Sequence, residues 1–186
     1  MKALRGLVLV GILAATGALA PGSAALAAPA ASEGATALRM IGDRQAIEAL
    51  LAQYSTGLDT LNADLYASCF TPDAEFIQGD TVRKGQAEIR KVITDLIASR
   101  DKRAAAAAAP AAGGTPAEAP PTAMHHVITN GVIDLVDAAN ARHRSYWMTV
   151  LGRGGNRFEV AAMGSYEDVL VKQDGRWLFK QRKILR

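Results

Sequence analysis

The chain has 186 residues, room for one domain of ordinary size, and a formal net charge of +3. Without Lys2 and Arg5 the balance is 19 basic against 18 acidic residues, so the high isoelectric point gives no support to a nucleic-acid surface. A single cysteine, Cys69, excludes an internal disulfide. Its place beside Phe70 on an apolar helix face reads as a buried, inert thiol rather than a nucleophile.

The chain opens with a basic start, Lys2 and Arg5, and an apolar run from Leu7 to Ala20. Ala25-Leu26-Ala27 then supplies an A-x-A cleavage site, so residues 1–27 are expected to be a secretory signal peptide and the protein to be periplasmic or secreted. An uncleaved anchor would need about 20 apolar residues, and this run is shorter. No other stretch is a candidate span, so no stable membrane anchor is expected. Residues 28–39, with the small and polar stretch Pro29 to Ala37, are expected to be a flexible lead-in to a domain covering 40–186.

Ile47, Leu50, Leu51, Tyr54, Leu58 and Leu61 fall at helical spacing, with Asp43 as the expected N-cap. Asn62 is placed to cap a short second helix carrying Leu65, Cys69 and Phe70, stopped by Thr71-Pro72. A strand from Ala74 to Gln78 and a turn at Gly79-Asp80 lead to a third helix marked by Ile89, Val92, Ile93, Leu96 and Ile97. The alanines from Ala104 can extend that helix by a turn or two. The Ala/Pro-rich stretch of about 104–122 is otherwise expected to be a disordered loop. Beyond it the apolar period becomes two, with strands over Ala123–Val136, Ala141–Leu151, Phe158–Val171 and Trp177–Leu185. Short turns between them predict an antiparallel meander, and Lys180, Arg182, Lys183 and Arg186 on the last strand read as a solvated edge. Three helices and then a meander predict an α+β fold.

Several segments, taken in order, resemble the SnoaL-like group of the nuclear transport factor 2-like superfamily. They are D-R-Q-A-I-E-A-L-L-A-Q-Y from Asp43 followed by Asp59, Y-A-S-C-F-T-P-D-A-E-F from Tyr66, and H-V-I-T-N from His126 to Asn130. A-R-H-R-S-Y-W from Ala141 and the hairpin from Gly164 to Arg182 complete the set. The resemblance implies a cone-shaped barrel, with three N-terminal helices packed on a strongly curved, mainly antiparallel sheet, as in scytalone dehydratase. It also implies an apolar pocket for a small apolar or polycyclic ligand, and a homodimer. Both faces of the strand from Ala123 carry apolar residues, which also calls for a cover on the second face.

In similar dehydratases a first-helix aspartate and the histidine of the H-x-x-x-N strand act together. Asp59 and His126 hold those positions, and Tyr54, five residues before Asp59, has the spacing of a contributing tyrosine. A carboxylate beside an imidazole makes a proton shuttle suited to eliminating water or to isomerisation next to a carbonyl. Periodicity alone puts Asp59 about 120° from the centre of the apolar stripe, so only the resemblance turns it toward a cavity, helped by Gly57 loosening the helix end. His125 and His126 point to opposite faces of their strand, both apolar, and again only the resemblance selects His126. The dehydratase pattern places a second histidine or carboxylate where this chain has Ser145, with His143 two residues earlier on the same face. Tyr54, His143 and Ser145 are therefore substrate-binding candidates.

No metal-ligand spacing such as H-E-x-x-H is present, and adjacent strand histidines cannot converge on one ion, so neither metal nor cofactor is expected. A Ser-His-Asp triad lacks a nucleophile-elbow signature. Two functions stay open: a cofactor-independent dehydratase or isomerase using Asp59 and His126, and a non-catalytic module for apolar-ligand binding or dimeric assembly.

Overall fold

The computed structural model describes residues 24–108 and 121–186. The greater part of the expected signal peptide and residues 109–120 of the Ala/Pro stretch lie outside the described residues. The described residues from Leu38 onward form one compact unit, and residues 24–37 belong to another.

Helix α1 runs from Ala24 to Asp59. It is helical through the stretch expected as a flexible lead-in, because alanine stabilises helix locally without tertiary help. Its side chains from Ser32 to Gly42 are nevertheless exposed, and packing begins at Asp43. Asp43 is therefore not an N-cap, as the sequence suggested. It lies inside α1, where its buried carboxylate accepts from Lys172 Nζ (2.7 Å) and Trp177 Nε1 (3.0 Å), tying the helix to the sheet. Ile47, Leu50, Tyr54 and Leu58 form the buried stripe. Helix α2, Ala63–Ala67, is capped by Asn62, whose Oδ1 accepts from the Leu65 amide. Helix α3, Gly85–Ala108, buries Ile89 and Ile93 and takes in the first alanines of the run. No helix among the described residues is long and apolar enough to cross a membrane.

Six strands form one sheet in the order β2-β1-β6-β5-β4-β3. They are β1 Phe70–Gln78, β2 Thr81–Lys84, β3 Ala123–Leu135, β4 Asn140–Gly152, β5 Phe158–Gln173 and β6 Arg176–Leu185. The last four form the predicted antiparallel meander. The hairpin partner β2 and the start of β1 at Phe70 were not legible. The first helical hairpin hands the chain back so that β1 pairs parallel with β6. The last strand is consequently internal, and Arg182, expected on a solvated edge, is fully buried. Pairing registers shift at Thr129/Val132, Thr149/Val150, Val169/Leu170 and Phe70/Glu75. Such bulges bend strands, and they curve this sheet around the helices into an open cone without closing it into a barrel. On the inner face of β4, Ala141, His143, Ser145 and Trp147 alternate with exposed Arg142, Arg144 and Tyr146.

Candidate active site

Asp59 is the last residue of α1. Helix α1 continues through Gly57 rather than loosening there. A Cβ at Gly57 would lie 2.9 Å from the Tyr66 backbone, so the glycine serves the close approach of α2. Leu61, in the left-handed region at φ 53°, then turns the chain. This places the Asp59 carboxylate beside the start of β3. Its Oδ1 accepts from the His126 backbone amide (2.9 Å) and lies 2.7 Å from His126 Nδ1. A carboxylate only accepts, so the shared hydrogen sits on Nδ1, and it is the neutral form of the ring that keeps a lone pair on Nε2. The Asp59 and His126 side chains are 21% and 11% exposed. The His125 side chain is 63% exposed, on the opposite face, with Nδ1 3.8 Å from Asp59 Oδ2.

His126 lines a partly open cavity of about 230 Å³ together with Tyr54, Tyr66, Trp147 and Tyr166. The Tyr66 and Tyr166 hydroxyls are held well above the ordinary tyrosine range, chiefly by burial, and remain neutral phenols able to donate. Tyr54 contributes its ring to the aromatic cluster and accepts a long hydrogen bond from Tyr66 (3.4 Å). His126 also borders a groove between α1 and β3, which Ser55, Asn130 and His143 share.

His143 belongs to a separate, fully buried network. Its Nδ1 lies 2.7 Å from Asp168 Oδ2, while Arg182 donates from Nε (2.8 Å) and Nη2 (2.7 Å) to the two oxygens of the same carboxylate. The guanidinium Cζ sits 4.0 Å from the ring centres of Tyr54, Tyr166 and Phe179. Burial alone would raise the Asp168 carboxyl, but the Arg182 charge and its hydrogen bonds hold it below the ordinary value. His143 Nε2, Ser145 Oγ and Arg182 Nη1 have no hydrogen-bond partner among the described residues. A Cβ at Gly131 would come within 3.2 Å of His143 Nε2, so the glycine of the β3 bulge leaves that nitrogen its space. Ser145, opposite the bulge, faces a third groove and does not line the His126 cavity. Among the sequence candidates, His126 and Tyr54 thus line the cavity, Asp59 holds His126 without lining it, and His143 and Ser145 do not join them there.

Asp168 and Arg182 were missed. Their signal is faint: Asp168 alternates with Tyr166 and Leu170, which are buried. Cys69 is buried, and burial pushes its thiol up to about 12, as befits an inert sulfur. No group of three potential metal ligands converges among the described residues.

A family model described as SnoaL-like domain matches residues 39–183. Solved structures share the fold at low identity. An NTF2-like protein with a cystatin-like fold from Novosphingobium aromaticivorans is 18% identical at a TM-score of 0.64, over 82% of this chain and 87% of that one. A proposed scytalone dehydratase from Novosphingobium aromaticivorans DSM 12444 is 23% identical at a TM-score of 0.59, over 78% and 85%. The structure of LinA is 18% identical at a TM-score of 0.60, over 79% and 87%. No curated protein compared with the chain matches it.

Proposed function

The chain belongs to the SnoaL-like domain family, and from that premise we propose that it is an exported, cofactor-independent lyase or isomerase for a small apolar ligand. The observation that carries the reading is the 2.7 Å contact between Asp59 and His126 at the wall of an aromatic cavity. His126 Nε2 takes a proton from a carbon next to a carbonyl, and the electron pair moves onto the carbonyl oxygen. The neutral phenol of Tyr166 lines the same cavity and can turn its hydrogen toward that oxygen. The proton then returns to a different carbon, which is isomerisation, or leaves with a hydroxyl group as water, which is dehydration. Asp59 keeps the hydrogen on Nδ1 and stabilises the imidazolium that forms.

The test needs no substrate. Nitrogen-15 NMR of the parent is expected to find the His126 hydrogen on Nδ1, and Asp59→Asn to shift hydrogen toward Nε2. Identical tautomers in both proteins would remove the acid–base reading in favour of the binding module. In turnover assays, His126→Ala is expected to abolish activity with little loss of stability, and His125→Ala to spare it.

A homodimer is part of this proposal. On the outer face of the sheet Val127, Met148 and Met163 form a row across β3, β4 and β5. Tyr146, Phe158 and Val160 on the same face are exposed. Such a patch on a monomer's surface calls for a partner, and the flat face of a second sheet matches it. Export rests on the residue order of the first 27 residues. An intact mass beginning near Ala28 after secretion from a native-like host supports it; a membrane-retained chain still carrying residues 1–20 refutes it.

A further inference from the structure

The nitrogen His143 Nε2 takes no part in the acid–base pair at His126. It has no hydrogen-bond partner among the described residues, although the side chain is wholly buried. An unpaired buried polar atom is costly, and a partner supplied from outside removes that cost. Its surroundings show where such a partner would sit. The groove between α1 and β3, about 570 Å³, is lined by both His143 and Gly131. Gly131 is exposed at the bulge of β3, and a Cβ there would lie 3.2 Å from His143 Nε2 and 3.9 Å from Cδ2. The Nε2 edge of the ring therefore faces the groove wall at a position where β3 carries no side chain. Gly131 lies five residues beyond His126, roughly 15 Å at the rise of a strand, which separates this place from the chemistry at His126.

We propose that the groove is a second binding site, for a neutral apolar molecule whose hydroxyl, seated beside Gly131, donates to His143 Nε2. The ring sets the need for a donor. Asp168 accepts at Nδ1, so that nitrogen carries the hydrogen. Asp168 already balances the charge of Arg182, and the buried network carries no net charge when Nε2 keeps its lone pair. Nε2 is then an acceptor and takes an O–H. The groove sets the rest of the ligand. Leu51, Ile128 and Ile133 offer it an apolar wall. The carboxylate of Glu48 lines the groove, and Arg44, one helical turn earlier, donates to the Ile133 carbonyl (2.7 Å) on the same rim. These two charges offset each other, which favours a neutral hydroxyl over an ammonium group.

The matched probes are 2-naphthol and 2-methoxynaphthalene, which share a ring system and differ in the hydrogen that can be donated. Binding is followed by calorimetry and by nitrogen-15 NMR of untagged protein. The chain has three histidines, and His125→Ala and His126→Ala assign their own signals, which leaves those of His143. 2-Naphthol is expected to shift the His143 Nε2 resonance toward that of a hydrogen-bonded acceptor. It is expected to bind about three- to tenfold more tightly than the ether, the scale of one hydrogen bond. Gly131→Ala obstructs the approach to Nε2 and is expected to remove both the shift and the preference, with the His126 tautomer as in the parent. Ala52→Phe, on the exposed helical wall of the groove, is expected to exclude both probes without touching the bulge. A His143 resonance that ignores 2-naphthol, an ether that shifts it equally, or a response that survives in either variant overturns the second site. Shifts confined to His126 place the probe in the aromatic cavity and overturn it as well, leaving the acid–base reading intact.

Discussion

One carboxylate, Asp168, joins three neighbouring strands, because its partners His143 and Arg182 come from β4 and β6. All three side chains are withdrawn from water, so removing the charge of one partner leaves another uncompensated. Asp168→Asn is expected to lower stability by about 3–5 kcal/mol, measured by urea denaturation. Acid acts on the same groups. Asp168 is depressed below the ordinary value of 3.8, burial opposing the shift and Arg182 driving it. Asp43 is depressed likewise, against its burial, by the hydrogen bonds of Lys172 and Trp177. A depressed folded-state value contributes stability in full above 3.8 and loses it as pH falls through the lower folded value. The thermal midpoint is therefore expected to drop as pH falls below about 4, and Asp43→Asn to flatten that decline. Reading such residues from sequence is uneven for a physical reason. The pairing of Asp59 with His126 follows motif order, whereas a charged residue in a strand reads as solvent-facing. Arg182 adds a second obstacle, since Trp177 and Phe179 are buried but the next buried position is 182, not 181. The bulge at Lys180 breaks the alternation that would have signalled an inward arginine.

At the level of elements, strong periodicity carried the reading and absent periodicity limited it. Strands β3 to β6 lie within two residues of their expected bounds because each alternates or is rich in β-branched and aromatic residues. Strand β2, the four residues Thr81–Lys84, is too short to show a period, and the parallel pairing of β1 with β6 leaves no local trace. Helix α1 shows local propensity and packing separating, helical from Ala24 while its side chains from Ser32 to Gly42 are exposed and those at Asp43 and Ile47 are buried. The contact of α1 with α2 turns on Gly57, where a methyl group would meet the backbone of Tyr66, which cannot swing aside. Gly57→Ala is expected to cost about 1–3 kcal/mol in denaturant melts despite alanine's better helix propensity. The Ala/Pro stretch gives the opposite expectation. Deleting about Ala106 to Pro121 is expected to leave the melting temperature near that of the parent, because loop closure depends only weakly on length. A variant that fails to fold would show that the loop packs.

For the whole molecule, the exposed apolar row on the outer face sets the expected assembly. Light scattering at micromolar concentration is expected to give a dimer mass, and Met163→Lys to give a monomer with the same secondary structure. A monomeric parent would remove the dimer from the proposed function. The order of the sheet has a further consequence, one of timing. Strand β1 finds its parallel partner only in β6, the last strand made, with Phe76 facing Arg182 across more than half the chain. Until β6 arrives, β1 has β2 alone and its buried residues lack one wall, so the early helices have no completed sheet to dock on. Contacts of such separation form slowly. Ribosome-bound chains stopped before Trp177 should accordingly stay protease-sensitive along their whole length, and sensitivity should vanish once β6 has emerged. A polypeptide that postponed its own folding in this way would stay threadable after synthesis, as the proposed export requires.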